Sequence, residues 1–104
     1  MRKVIQGLIY NTDTAAEVCR VPCSLARTDF GWHRTTLYRT PRGRFFVAGE
    51  GGPLSRWGEK VAGNNWVAGS GLQAIGQAEA CELMEAAECD PEAFGAAGLE
   101  VSDA

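Results

Sequence analysis

Two periods organise the apolar positions of this chain. Short β-branched and aromatic runs with period two fill most of its first three quarters, and a 3.6-residue period is sustained only from about residue 77 onward. Residues 3–10, rich in Val, Ile, Leu and Tyr and stopped by a polar cluster, predict a first strand ending near Tyr10. Thr14 followed by Glu17 fits a capping box, with Ala15, Ala16, Val18 and Cys19 as an apolar stripe before Pro22. This predicts a helix of about two turns, held by packing rather than by its own propensity. Beyond a loop at 23–31, the runs 32–40 and 44–48 flank Pro41-Arg42-Gly43. Pro fixes φ, Gly tolerates a positive φ, and Thr35, Thr36, Leu37, Tyr38, Phe45, Phe46 and Val47 suit a pleated sheet, so a hairpin is predicted. Residues 50–53 predict a tight Gly-rich turn. Residues 54–66 hold Trp57 and Trp66 among Gly, Asn and charge, which predicts an irregular loop with one short regular piece, and 67–75 predict a strand interrupted at 69–71.

The last helix begins near Gln77. At 100° per residue Ala80, Leu83, Met84 and Ala87 share an arc about 100° wide, while Glu79, Glu82, Glu85 and Glu88 spread over the opposite side. Asp90-Pro91 stops it, and Pro91 opens a short terminal helix through Ala97. The order strand, helix, hairpin, loop, strand, helix predicts an α+β fold. It is a small antiparallel sheet with a central hairpin, one short N-terminal helix and a longer C-terminal helix packed on it.

Composition narrows this picture. At 104 residues and 45% hydrophobic, residues 1–104 make one domain able to fill a core without staples. No apolar run approaches the roughly 20 residues that span a bilayer. The basic start Met1-Arg2-Lys3 is followed by an apolar stretch broken at Gln6 and Gly7, too short for a signal-peptide core, so a cytoplasmic protein with no membrane partner is expected. The formal net charge of −3 hides a division. All ten basic residues lie between Arg2 and Lys60 against five acids, whereas the eight acids from Glu79 to Asp103 face no Lys or Arg in sequence. Such asymmetry steers association with charged partners, and an acidic face imitates the field of nucleic acid.

Candidate chemistry is sparse. Cys19, Cys23, Cys81 and Cys89 invite two disulfides or a zinc site, yet Cys81 and Cys89, eight apart on a helical pattern, are separated by about 12 Å of helix rise. Reduced, partly buried thiols are expected, with no metal and no cofactor. The one histidine, His33, would need Ser24, Ser55 or a cysteine beside it for nucleophilic catalysis. The glutamate row lies on a polar helix face, where carboxylate acidities are not usefully separated, so no enzyme is expected. Gly49-Glu50-Gly51-Gly52 lacks the Lys-Ser or Lys-Thr of a phosphate loop and reads as a turn. Arg34, Arg39, Arg42 and Arg44 around Tyr38, Phe45 and Phe46 are the mixture a nucleic-acid surface uses, and also the pattern of a charged edge hairpin.

Three strings in order add a resemblance: Gly7-Leu8-Ile9-Tyr10-Asn11-Thr12-Asp13-Thr14-Ala15, then Thr36-Leu37-Tyr38-Arg39-Thr40-Pro41-Arg42-Gly43-Arg44-Phe45-Phe46, then Gly49-Glu50-Gly51-Gly52-Pro53-Leu54-Ser55. The chain resembles a family of small proteins carried by phages and other bacterial mobile elements, with G-x-x-Y-x-T-x-T-A, L-Y-R-T-x-x-G-x-F-F and G-E-G-G strings. It departs from that family where Leu72-Gln73-Ala74-Ile75-Gly76 stands in place of an I-x-P-L-S passage from strand to helix. The resemblance implies a mobile-element setting, in which small acidic single-domain proteins look like anti-CRISPR inhibitors. The expected function is therefore non-enzymatic inhibition of a host CRISPR effector complex, with Glu79, Glu82, Glu85 and Glu88 as a DNA-mimicking contact row. The alternative is a nucleic-acid-binding accessory protein using Arg34, Arg39, Arg42 and Arg44, which the acidic total disfavours. A third reading makes exposed Trp57 and Trp66 the anchors of an interaction module.

Overall fold

The computed structural model describes residues 1–104. Four antiparallel strands form the central sheet in the order β3 (Ala16–Val21), β4 (His33–Arg39), β5 (Phe45–Gly51) and β8 (Gly69–Ile75). The α+β class holds, and the hairpin expected around Pro41-Arg42-Gly43 is β4–β5, paired from Arg39↔Phe45 to His33↔Gly51. Alternation gives β5 a buried residue on each face in turn, so Phe45 and Val47 belong to one core and Phe46 and Ala48 to another.

On one face Leu37, Phe45, Val47 and Trp57 pack under α1 (Gln77–Ala86) and α2 (Pro91–Ala96) through Ala80, Met84, Phe94, Ala97 and Leu99. On the other, Phe46, Ala48 and Leu72 are covered by a hairpin of β1 (Arg2–Ile5) and β2 (Leu8–Asn11) through Tyr10. Phe46 is fully buried, stacked on Tyr38 at 5.0 Å and edge-on to Tyr10 at 5.5 Å. Burying such a ring stabilises by about 1.5–3 kcal/mol, before the aromatic geometry adds to it.

Five expectations are corrected. Residues 49–51, expected in a Gly-rich turn, continue β5 and pair with 33–35 on β4 and 69–71 on β8, so the chain leaves the sheet only at Gly52. The single strand over residues 3–10 is a hairpin, because Gln6 and Gly7 take φ of 51° and 78° and make the two-residue turn that matches strand twist. The helix expected from Thr14 to Pro22 is instead the edge strand β3. Asn11 captures the would-be helix start: its side chain accepts from Asp13 N–H and its carbonyl from Ala15 N–H. Cys19 and Val21 then pair with Leu37 and Thr35 across β4, a partner that a two-turn helix could not match. The region 54–66 contains a second small hairpin, β6 (Glu59–Val61) and β7 (Asn65–Val67), turned at Ala62–Asn64. Finally, β8 runs unbroken through Gly69 and Gly71. Gly71 lies against the Trp57 ring, and a Cβ at Gly69 would strike the Trp57 carbonyl, so Gly69 is needed for the close approach of that backbone rather than to break the strand. No helix is long and apolar enough to cross a membrane.

Candidate functional site

The helix layer carries the acids. Ala80 and Met84 are buried and Leu83 and Ala87 half-buried, so the apolar arc of α1 faces the sheet and Glu79, Glu82 and Glu85 face solvent. Glu88 departs from the expected row. The helix stops at Ala86, and Glu88 sits beyond it in the left-handed region at φ 56°. Cys89 N–H donates to Met84 O and Glu88 N–H to Glu85 O, the Schellman pattern of helix termination. Pro91 at the first position of α2 prevents the helix from running on.

Glu79 is also distinct. Its carboxylate lies 3.2 Å from Arg56, whose guanidinium donates to Gln73 Oε1 as well and rests over the Trp57 ring at 5.7 Å. Arg56 is the single cation paired with any of the eight acids from Glu79 to Asp103, all of them exposed. Arg56 was not visible as a partner in the sequence, where it sits in the least regular stretch. Its adjacency to Trp57 and the Gln73 register on β8 are what place it. Glu85 in turn accepts a weak 3.9 Å contact from the Cys81 thiol.

Under Arg56 runs a polar strip inside the core. The Trp57 indole donates to Thr35 Oγ1 at 2.8 Å, and Thr35 Oγ1 lies 2.8 Å from His33 Nδ1. A fully buried hydroxyl proton needs an acceptor, and Nδ1 supplies it, which puts the imidazole proton on Nε2. Burial and then the Arg56 charge hold the His33 pKa below its ordinary 6.5. His33 is thus engaged with a threonine. Ser55 is spent on its turn, donating to Gly52 O and accepting from Trp57 N–H, and Ser24 lies on the exposed loop after β3. Trp57 is buried, which removes it as an exposed anchor; Trp66 is half-exposed on β7, across from Lys60.

The four hairpin arginines do not form one cluster, because Arg34 is separated from the three near the turn. Arg34 lies at the far end of β4, 3.9 Å from Glu50 and over the Trp32 ring. Arg39 is half-buried toward α2, while Arg42 and Arg44 are exposed at and beside the turn. All four cysteines are free, and no three His, Cys, Asp or Glu residues gather as a metal site. Cys19 on β3 and Cys89 after α1 pack on the same core, and burial, followed by the neighbouring Cys89 and Glu17, pushes the Cys19 thiol up to about 11.

The charge division survives folding only in part. The acids of residues 77–104 lie on the helix side, but so do Arg56, paired with Glu79, and Arg39, against α2. Arg20 and Arg34, by their register with Thr36 and Glu50, share the opposite face with the hairpin that carries Arg2 and Lys3, and Glu17 and Glu50 lie on that face too. Lys3 reaches from that hairpin to the Leu72 carbonyl at 3.4 Å. Compared with known proteins, the chain matches no family model, no curated protein and no solved structure.

Proposed function

We propose that the chain is a non-enzymatic inhibitor of the anti-CRISPR type, acting in the cytoplasm of a bacterial host. It binds a Cas effector complex by laying its acidic helix layer into a basic groove that otherwise accepts nucleic acid. Glu82, Glu85 and Glu88 make the contact, and Glu79, tied to Arg56, fixes its edge. The observation that carries this reading is the imbalance of the layer: eight exposed acids with one paired cation among them. An unneutralised field of one sign raises the association rate with an oppositely charged groove and rejects like-charged surfaces. The engagement of His33 and Ser55 in structural hydrogen bonds supports a binding role over a catalytic one.

The test is phage plaquing on hosts with defined CRISPR types, with and without the chain, each paired with a host lacking the targeting spacer. Restored plaquing only where the spacer is present identifies the effector type. The double variant Glu82→Lys with Glu85→Lys should then lose the effect while keeping its circular dichroism and Tm, since exposed substitutions usually change stability by less than about 0.5 kcal/mol. No restoration across the panel, or full activity in the folded double variant, overturns the proposal. Salt-dependent binding of the isolated chain to DNA, lost on replacing Arg42 and Arg44, would instead favour a direct nucleic-acid role.

A further inference from the structure

At the end of the sheet away from Arg34, a cavity of about 250 Å³ opens between the β4–β5 turn, the start of α1 and the end of α2. Arg39 and Arg44 both line it, together with Tyr10 and Gln77, and its lining contains no Asp or Glu. That is unexpected in a chain with an excess of acids, eight of them between Glu79 and Asp103, the stretch that holds both helices. Neither arginine is in an ion pair. Arg39 is held in place by the backbone around it. Its Nη2 lies 3.2 Å from where a Cβ would stand on Gly43 and 3.1 Å from the same point on Gly98, so the two glycines leave the slot the guanidinium fills. Its Nε is fully buried and has no hydrogen-bond partner. With no accessible surface, Nε fixes how the guanidinium lies rather than meeting a ligand; the terminal nitrogens, which also have no protein partner, are the donors that remain accessible.

The start of α1 adds a second source of positive potential. Gly76 precedes the helix with no side chain to cap it, the first intrahelical bond is Ala80 N–H to Gly76 O, and Gly76 and Gln77 line the cavity. The N–H groups of the first turn are therefore left for an anion. The size excludes a large ligand, since pockets for drug-sized molecules start at about 300 Å³. Beyond Tyr10 and Arg44, which line both spaces, an apolar groove of about 450 Å³ continues between Leu8, Ile9 and Pro41, with Arg42 at its rim.

We infer that Arg39, Arg44 and the first turn of α1 form a binding site for a phosphoryl group, either free phosphate or the terminal group of a phosphomonoester whose organic body lies in the Leu8–Ile9–Pro41 groove. Two guanidinium groups match the oxygens of a tetrahedral dianion, and the uncapped amides add directional donors that a surface arginine pair lacks. The site does not depend on the acidic-layer reading, and its test uses no effector.

The experiment is a titration of the full chain followed by amide NMR, at constant ionic strength against chloride, with inorganic phosphate, adenosine monophosphate and adenosine as probes. Phosphate should give saturable shifts at Gln77, Ala78, Gly43 and Gly98. Arg39→Gln removes a half-buried packing group as well as a charge, so Arg44→Gln, at an exposed position, is the variant that keeps the fold. It should raise the apparent Kd by about tenfold or more, as expected for losing a charge-assisted contact. Adenosine monophosphate binding more tightly than phosphate, with adenosine silent, identifies an ester as the ligand; equal binding identifies the free ion. Linear, unsaturated shifts, shifts of equal size at Arg2 and Arg27, or an unchanged Kd in folded Arg44→Gln overturn the site.

Discussion

The two helices end in the same way with different residues. At α1, Cys89 N–H reaches Met84 O and Glu88 takes the left-handed position; at α2, Leu99 N–H reaches Phe94 O and Gly98 takes it, at φ 79°. Both patterns return the chain to the core, through Cys89 and Leu99. Glycine adopts this conformation without strain, whereas another L-residue gives up roughly 1–2 kcal/mol there. A carboxylate is doubly unsuited, because a helix C-terminus carries negative partial charge. One end therefore follows the local rule and the other breaks it, and the break coincides with the acidic layer proposed to bind. Local rules are most often broken where a site needs a particular side chain, so Glu88 is the acid whose position most deserves a binding test.

Exchanging the residues breaks the comparison most strongly at α2. Gly98→Glu should destabilise by about 2 kcal/mol, from left-handed strain and from a Cβ set against the Arg39 guanidinium, and should lower Tm on the order of 10 °C. A loss below about 0.5 kcal/mol in chemical denaturation would show that the position has no real demand for glycine. The reverse change, Glu88→Gly, should stabilise by about 0.5–1 kcal/mol, part of the relief being offset by the extra freedom of glycine in the unfolded chain. Under the proposed function it also weakens effector binding, a gain in stability with a loss in activity. Glu88→Gln separates the two causes. It keeps the strain and removes the charge, so its gain should be a few tenths of a kcal/mol; a gain equal to that of Glu88→Gly would assign the penalty to the helix dipole instead.

A pH scan is the control for these swaps. The folded chain disfavours protonated His33, so the unfolded state binds the extra proton first as pH falls. The contribution is complete above 6.5 and is lost as pH drops below it. Tm should show this slope in the wild type and in both helix-end variants, and His33→Gln should flatten it. A slope that persists in His33→Gln would remove the histidine from the account.

Much of this fold is legible in local sequence, and the reason is the same wherever it is. The β4–β5 hairpin could be read because Pro41, Gly43 and the flanking aromatic and β-branched residues all act within a few positions of one another. The apolar arc of α1 was legible for the same reason. The β3 strand was not, because Thr14 and Glu17 satisfy a helix pattern locally and what overrides it is pairing with β4, whose partners lie 14 to 23 residues further on. Trp57 reads as a loop residue until Thr35, which accepts its indole N–H, and Gly69, which lets its backbone come close to β8, are in place around it. The acid row was visible as a period, but the Arg56 clamp on Glu79 and the turn at Glu88 depend on β8 and on Pro91, outside the helix's own repeat. The cavity of Arg39 and Arg44 gave no signal, since its walls come from four separated segments.

The acid-rich stretch has one more consequence. Residues 61–104 carry eight acids and no Lys or Arg, and Arg56 is the one cation from the rest of the chain that pairs with them. The opposite sheet face is mixed, since Arg34 stands 3.9 Å from Glu50 and Glu17 shares that face by its register with Tyr38. In salt weak enough for a partner's field to reach it, the molecule is therefore turned helices first toward a positive surface, while a negative surface finds no equally one-signed side to hold.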